Sequence, residues 1–217
     1  MKQYWKKIKK FWRYAHDENV YLGWAIDFIA AILIIQLVVF PLLSFSLGTD
    51  LPVVAVVSTS MEHNINVNER GQYFMCGSTF ATRESVDFDF WWSNCGSWYE
   101  ENTDISKETF QSFSFSNGFN EGDVMIVKGT SIEDIEIGQV LVFEASRRSI
   151  PIIHRVVDIN ENDEIILQAK GDNNGDVFSA LGEDRITEDK VIGVAIGRIP
   201  FVGLLKIYTS RLFGGIL

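Results

Sequence analysis

From Leu22 to Leu47 the chain is an almost unbroken apolar run in which Asp27 and Gln36 are the strongly polar residues. As a helix it would cover roughly 39 Å, and a bilayer's hydrocarbon core needs only about 30 Å. Nothing that folds in water alone exposes such a stretch, so residues 22–47 are expected to be a transmembrane helix. Pro41 removes a backbone donor and should kink or end that helix near its far side. A cleaved leader would have a shorter apolar core and small residues at a cutting site, so the expectation is a retained anchor. Asp27 lies in the first turns and is expected to snorkel toward the headgroups, the alternative being a partner contact inside the membrane.

Charge sets the orientation. Lys2, Lys6, Lys7, Lys9, Lys10 and Arg13 face Asp17 and Glu18 in residues 1–21, a net of plus four, while the rest of the chain holds 13 basic and 27 acidic residues. The basic end should remain cytoplasmic and the remainder should lie outside the cell membrane, single-pass. Trp5, Trp12 and Tyr14 among those lysines fit an amphipathic segment on the inner lipid surface. With an overall charge of −10 and the basic residues gathered at a membrane, nucleic-acid binding is disfavoured.

The residues beyond the span are enough for one domain with a real core. Short stretches rich in Val and Ile, 53–57, 124–127, 139–144, 152–158, 164–169 and 191–196, are separated by Gly, Asn and Asp and read as strands. Residues 48–203 are therefore expected to be mainly β, a sandwich or barrel-like domain with few helices.

Four patterns there can carry chemistry: Ser58-Thr59-Ser60-Met61, Gly122-Asp123, Ile153-His154-Arg155-Val156, and Gly171-Asp172-Asn173-Asn174-Gly175-Asp176. Each alone has a plain reading, as a serine-rich turn, a strand entry, a half-buried histidine and a tight turn. In this order after an anchor, they resemble the type I signal peptidases of the archaeal and endoplasmic-reticulum branch. The resemblance covers Leu22 to Met61 and Gly122 to about Gly203. It implies a signal-peptidase-like β-rich catalytic domain behind one N-terminal transmembrane helix. Histidine stands where bacterial relatives carry lysine.

A serine hydroxyl needs a base to become a nucleophile, and a histidine can take that proton and return it to the leaving amine. Ser60 is thus the expected nucleophile and His154 the base, with the Ser60 amide and, by resemblance, the Ser58 hydroxyl supporting the oxyanion. An acid should orient the imidazole. Asp172 fits the Gly-Asp-Asn position, but the family's second aspartate falls here at Phe178. Asp176 is favoured as the partner of His154 and Asp172 as structural support. His63, where the family has proline, is an alternative base. Lys128 and Lys170 could support a serine–lysine mechanism, though each is better read as a solvated strand end.

Residues 65–120 form an α/irregular insertion outside the resemblance, with thirteen aromatic residues. It reads as a satellite subdomain burying its own rings. Rings held at the membrane interface and a substrate or partner surface are the alternatives. Asp104 to Gln111 suggests one short helix with a capping-type start. Cys76 and Cys95 lie on the oxidising side and are expected to form a disulfide, two buried free thiols being the other possibility. Residues 204–217, apolar but broken by Lys206 and Arg211, are expected to lie along the interface.

The resemblance implies a membrane-bound serine endopeptidase that removes signal peptides from preproteins, with no cofactor and no metal. Accessory membrane subunits are a possible partner class besides the bilayer. A related peptidase with a narrow target, such as a pilin or surface-layer precursor, and a non-catalytic scaffold subunit are the alternatives.

Overall fold

The computed structural model describes residues 2–68, 70–146, 150–161 and 164–200, in two compact units meeting between Ser46 and Leu47. The expected course of residues 204–217 lies outside the described residues.

In the first unit, α1 (Lys2–Arg13) ends in a wide turn (Tyr14–Glu18) before the long helix Val20–Leu47. Asn19 starts that helix by accepting from the Leu22 amide at 3.3 Å, as a short polar side chain at this position should. Asp27 does not stand alone, for its carboxylate meets His16 Nε2 at 3.1 Å and the His16 ring stacks on Trp12. Of the two expectations for Pro41, an end of the helix is not what is seen, and the irregularity falls just before the proline. The helix segments α2 (Val20–Ile34) and α3 (Phe40–Leu47) are joined by a π-helical turn, Ile35–Val39, in which Phe40 N–H donates to Ile35. A wider turn makes room for a proline ring that would collide with the carbonyl four residues back.

The second unit is built on six antiparallel strands in the order β1-β5-β9-β6-β7-β8. They are β1 (Val53–Ala55), β5 (Val124–Lys128), β6 (Val140–Phe143), β7 (Ile152–Asn160), β8 (Ile166–Lys170) and β9 (Val191–Ile199). All six stretches expected as strands are in this sheet. Both faces are covered, which the alternation along β6 makes visible: Leu141 and Phe143 enter one apolar cluster, Val140 and Val142 the other. The same period of two along β7 puts His154 on the face of Ile152 and Val156, and Arg155 on the face of Ile153. β1 is an edge, paired on one side only, with β5.

The insertion folds as a three-stranded sheet, β2 (Asn66–Val67), β3 (Tyr73–Met75) and β4 (Ser78–Phe80), followed by α4 (Phe88–Asn102) and α5 (Lys107–Ser112). The short helix expected near Ser106 is α5, and Ser106 Oγ accepts from the Thr109 amide. The fifteen-residue α4 was not expected. Its start is capped by Asp87, which accepts from Phe90 N at 2.8 Å, and it buries Trp91, Trp92, Cys95, Gly96 and Tyr99. Gly96 is required because a Cβ there would come within 2.5 Å of the Trp92 ring. Trp91, Trp92, Tyr99 and Phe110 form a core with Met75, Ile65 and Val157 of β7. None of the thirteen rings is exposed. Twelve of them pack in or against an apolar cluster, as the satellite-subdomain reading expects, and Phe74 is the exception. A disulfide joins Cys76, at the β3–β4 turn, to Cys95 of α4, with Cα atoms 5.5 Å apart.

Candidate active site

Beyond β1 the chain stays paired through Val56, which exchanges hydrogen bonds with Asp123 and Gly122, and then leaves the sheet. A turn closed by Glu62 N donating to Thr59 O carries Ser60 at its apex. Met61, fully buried in the second cluster, anchors the turn from below. Asn173 fixes it from the side: its amide donates to Ser60 O at 2.7 Å and its side-chain nitrogen reaches Thr59 O and Asn64 O.

His154 Nε2 lies 2.9 Å from Ser60 Oγ, and Ser58 Oγ lies 3.0 Å from the same atom. The structure therefore brings together Ser58, Ser60 and His154 from segments 94 residues apart. The Ser60 amide donates to no acceptor among the described residues, which leaves it available to a developing oxyanion. Gly171 lies directly under the imidazole. A Cβ at this position would come within 2.9 Å of His154 Nε2, so only glycine lets the loop pass so close.

Neither aspartate meets the other ring nitrogen. Glu183 does, with Oε1 3.0 Å from His154 Nδ1 and its side chain fully buried. The contact has ion-pair length but lies off the N–H axis, so as it stands it is not a hydrogen bond. Active-site hydrogen bonds in a free enzyme are often misaligned in this way and tighten with substrate. Glu183 is held by Phe178 N, which donates to Oε2 at 2.8 Å, and by its own carbonyl, which accepts from Ala169 N.

Asp176, favoured from sequence as the partner of His154, is on the surface. It accepts from Val177 N and from Trp98 Nε1 at 2.9 Å, bonds that lower its pKa, the first most. A carboxylate already holding an indole and an amide at the rim of the loop is not positioned to orient the imidazole. Asp172 is buried on the opposite side of the loop from that role. Arg155 donates to it through Nε and Nη2 at 2.9 and 2.7 Å, Tyr99 OH at 3.1 Å and His63 Nε2 at 3.1 Å. Burial alone would raise its pKa, but the Arg155 charge and the His63 and Arg155 hydrogen bonds prevail and hold it well below the ordinary range. Arg155 spends its other donors on the carbonyls of Ser114, Gly138 and Phe115.

His63 is thus engaged away from Ser60. Its ring stacks on Trp91 at 3.7 Å, and burial lowers its pKa against the pull of Asp172. Lys128 is exposed at the end of β5. Lys170, expected to be solvated, is instead fully buried at the end of β8, where it donates to Gly171 O and lies over the rings of Trp98 and Tyr99. Burial pushes it down to about 8, against the nearby Asp172, Asp176 and Glu183.

Ser60 and His154 open onto a cleft of about 670 Å³ that runs along the β1 edge past Val54, Ala55 and Val57, with Ile150 to Ile153, Phe74, Asn173 and Phe178 also in its walls. A free strand edge beside a serine–histidine pair suits an extended peptide, whose main chain can pair with the edge while its side chains enter the cleft. Sequence reasoning missed Glu183 and Asn173 as site residues. Asn173 lay in plain view within the Gly-Asp-Asn string, whereas Glu183 had only an adjacent glycine, Gly182, to mark a turn.

No family model matches the chain. It is 34% identical over 104 residues to the signal peptidase complex catalytic subunit SEC11 of Metarhizium robertsii, a match covering 45% of this chain and 60% of that protein. It is likewise 34% identical over 99 residues to the signal peptidase complex catalytic subunit SEC11C of Homo sapiens, covering 43% and 52%. The subunit of Colletotrichum graminicola gives 34% over 103 residues, covering 45% and 60%. The chain thus spans between half and three fifths of the length of these curated relatives. The resemblance to type I signal peptidases of the endoplasmic-reticulum branch is borne out; these relatives are eukaryotic and do not bear on the archaeal part of that expectation.

Proposed function

We propose that this chain, similar as it is to signal peptidase catalytic subunits, is a membrane-anchored serine endopeptidase that removes N-terminal signal peptides from exported preproteins. The observation that carries the reading is the 2.9 Å contact of Ser60 Oγ with His154 Nε2 at the mouth of a cleft beside a free strand edge.

The preprotein lies extended along β1. Ser60 Oγ attacks the scissile carbonyl as its proton passes to His154 Nε2. The oxyanion is held by the Ser60 amide and the Ser58 hydroxyl. The imidazolium is stabilised by Glu183, which takes the role first assigned to Asp176, while Asp172 keeps its structural one. His154 then protonates the leaving amine, and the acyl-enzyme is hydrolysed by a water that His154 deprotonates in turn.

The basic end lies in the cytoplasm, the peptidase unit outside the cell membrane, and Val20–Leu47 between them, supported by the charge asymmetry and by the one helix long and apolar enough to cross among the described residues. The relatives' description as subunits of a complex supports accessory membrane subunits here. His154 is common to the archaeal and reticulum branches, and the archaeal assignment rests on that residue. A narrow target, such as a pilin or surface-layer precursor, is a second reading, favoured by the insertion's reaching the cleft through Phe74.

The test is purified protein in detergent with a preprotein, beside Ser60→Ala. The expected outcome is cleavage that falls about a thousandfold or more in the variant. Cleavage absent from both would move the chain to the scaffold reading, and equal cleavage by both would overturn Ser60 as the nucleophile.

A further inference from the structure

The insertion devotes its aromatic residues to burial, with one exception. Ten of its thirteen rings pack in or against the insertion's own core, and Phe115 and Phe119 pack in the second cluster of the large sheet. Phe74 belongs to none of the three clusters. Its neighbours on β3, Tyr73 and Met75, point into the insertion's core, so the two-residue period of a strand turns Phe74 to the opposite face. That face borders the cleft, and Phe74 lines it together with Ser60 and His154.

The ring is also firmly carried. The β3 register is set on both sides, Phe74 standing opposite Asn66 and Thr79. Two residues on, Cys76 is tied to α4 by the disulfide, and its amide donates to Asn173 at 3.2 Å. Asn173 in turn holds the Ser60 carbonyl. A large apolar side chain is thus presented to the cleft from a hairpin tethered to the nucleophile's own backbone. The surrounding walls are apolar too, with Val54, Val57, Ile150, Ile152 and Phe178 among them.

Resting on the peptidase reading, we infer that Phe74 is a specificity-determining residue. It forms an apolar subsite that takes a leucine- or phenylalanine-sized side chain of the substrate, at a position other than those next to the cut that require small ones. The insertion thereby narrows the substrate range instead of serving stability alone.

The experiment is positional scanning with the full-length protein in detergent. A signal-peptide-derived reference peptide, cleaved by the wild type and tested against Ser60→Ala, receives Ala, Leu or Phe singly at each position on either side of the bond. The wild type is expected to favour Leu or Phe over Ala at one position by about tenfold in kcat/KM, the scale of an apolar subsite. Phe74→Ala should level that position, bringing the Leu and Phe peptides down toward the alanine reference in kcat/KM, and Phe74→Leu should keep most of the preference. Thr79→Ala, across the hairpin on the same face, should leave the profile unchanged. A Phe74→Ala profile identical to wild type, or a uniform loss at every position, overturns the inference. Peptide cleavage that does not depend on Ser60 overturns the peptidase reading and this inference with it.

Discussion

Asp172 and Arg155 neutralise one another where water does not reach, and Arg155 completes its hydrogen bonds on three carbonyls. Asp172→Asn is expected to cost about 3 to 5 kcal/mol, because it strands a buried guanidinium; the midpoint of denaturant unfolding measures it. Since the folded pKa of Asp172 is depressed, the native state releases its proton more readily than the unfolded chain. Its contribution is complete above about pH 5 and is lost as pH falls below the ordinary aspartate value of about 3.9 toward the lower folded one. A second expectation concerns the imidazole: Glu183→Gln should lower kcat by roughly 10² to 10⁴ with little change in KM, whereas Asp176→Asn should leave kcat near wild type. Steady-state kinetics on one peptide separates the two. Ser58, Ser60 and His154 were legible because each sits in a short local string. Glu183 was not, because the fold and not the spacing decides which carboxylate faces a ring nitrogen, and the chain returns to His154 only after a further turn at Gly182.

Among the elements, the strands could be read directly, since Val and Ile runs between Gly, Asn and Asp have few other uses in a domain of this size. Helix α4 was readable and overlooked. Phe88, Trp91, Trp92, Cys95 and Tyr99 follow the helical spacing behind Asp87, yet Trp, Phe, Asn, Ser and Gly are modest helix formers and blur the stripe. What holds α4 is tertiary packing and the bond from Cys95 to Cys76. Opening that bond, with reductant or as the double serine variant, is expected to lower stability by about 3 kcal/mol, the effect of closing a loop of this length. In a domain of this size that is a fall of roughly 6 to 12 °C in Tm, which a thermal melt with and without dithiothreitol would register.

At the scale of the whole molecule, the chain divides into two compact units at Ser46 and Leu47. Gly129 N donates to Leu47 O and Thr49 Oγ1 to Ile192 O, so the second unit begins at Leu47. A chain starting there should melt as the full protein's second unit does and cleave a short soluble peptide at an unchanged rate. It should lose activity on a preprotein embedded in vesicles, since the long apolar helix no longer brings it to the bilayer. Vesicle flotation beside both assays distinguishes lost tethering from lost chemistry.

The hydrogen bond from the Cys76 amide to Asn173 has a consequence for descent. The insertion can lengthen or shorten in many places without reaching the nucleophile, but not between Met75 and Gly77 or at Trp98 and Tyr99 of α4. A lineage that trimmed the whole segment to a plain connector would also remove the Tyr99 hydroxyl from Asp172 and the Trp98 indole from Asp176. The loop beneath the imidazole would need new donors at the same step. Once acquired, such an insertion is harder to discard than to elaborate.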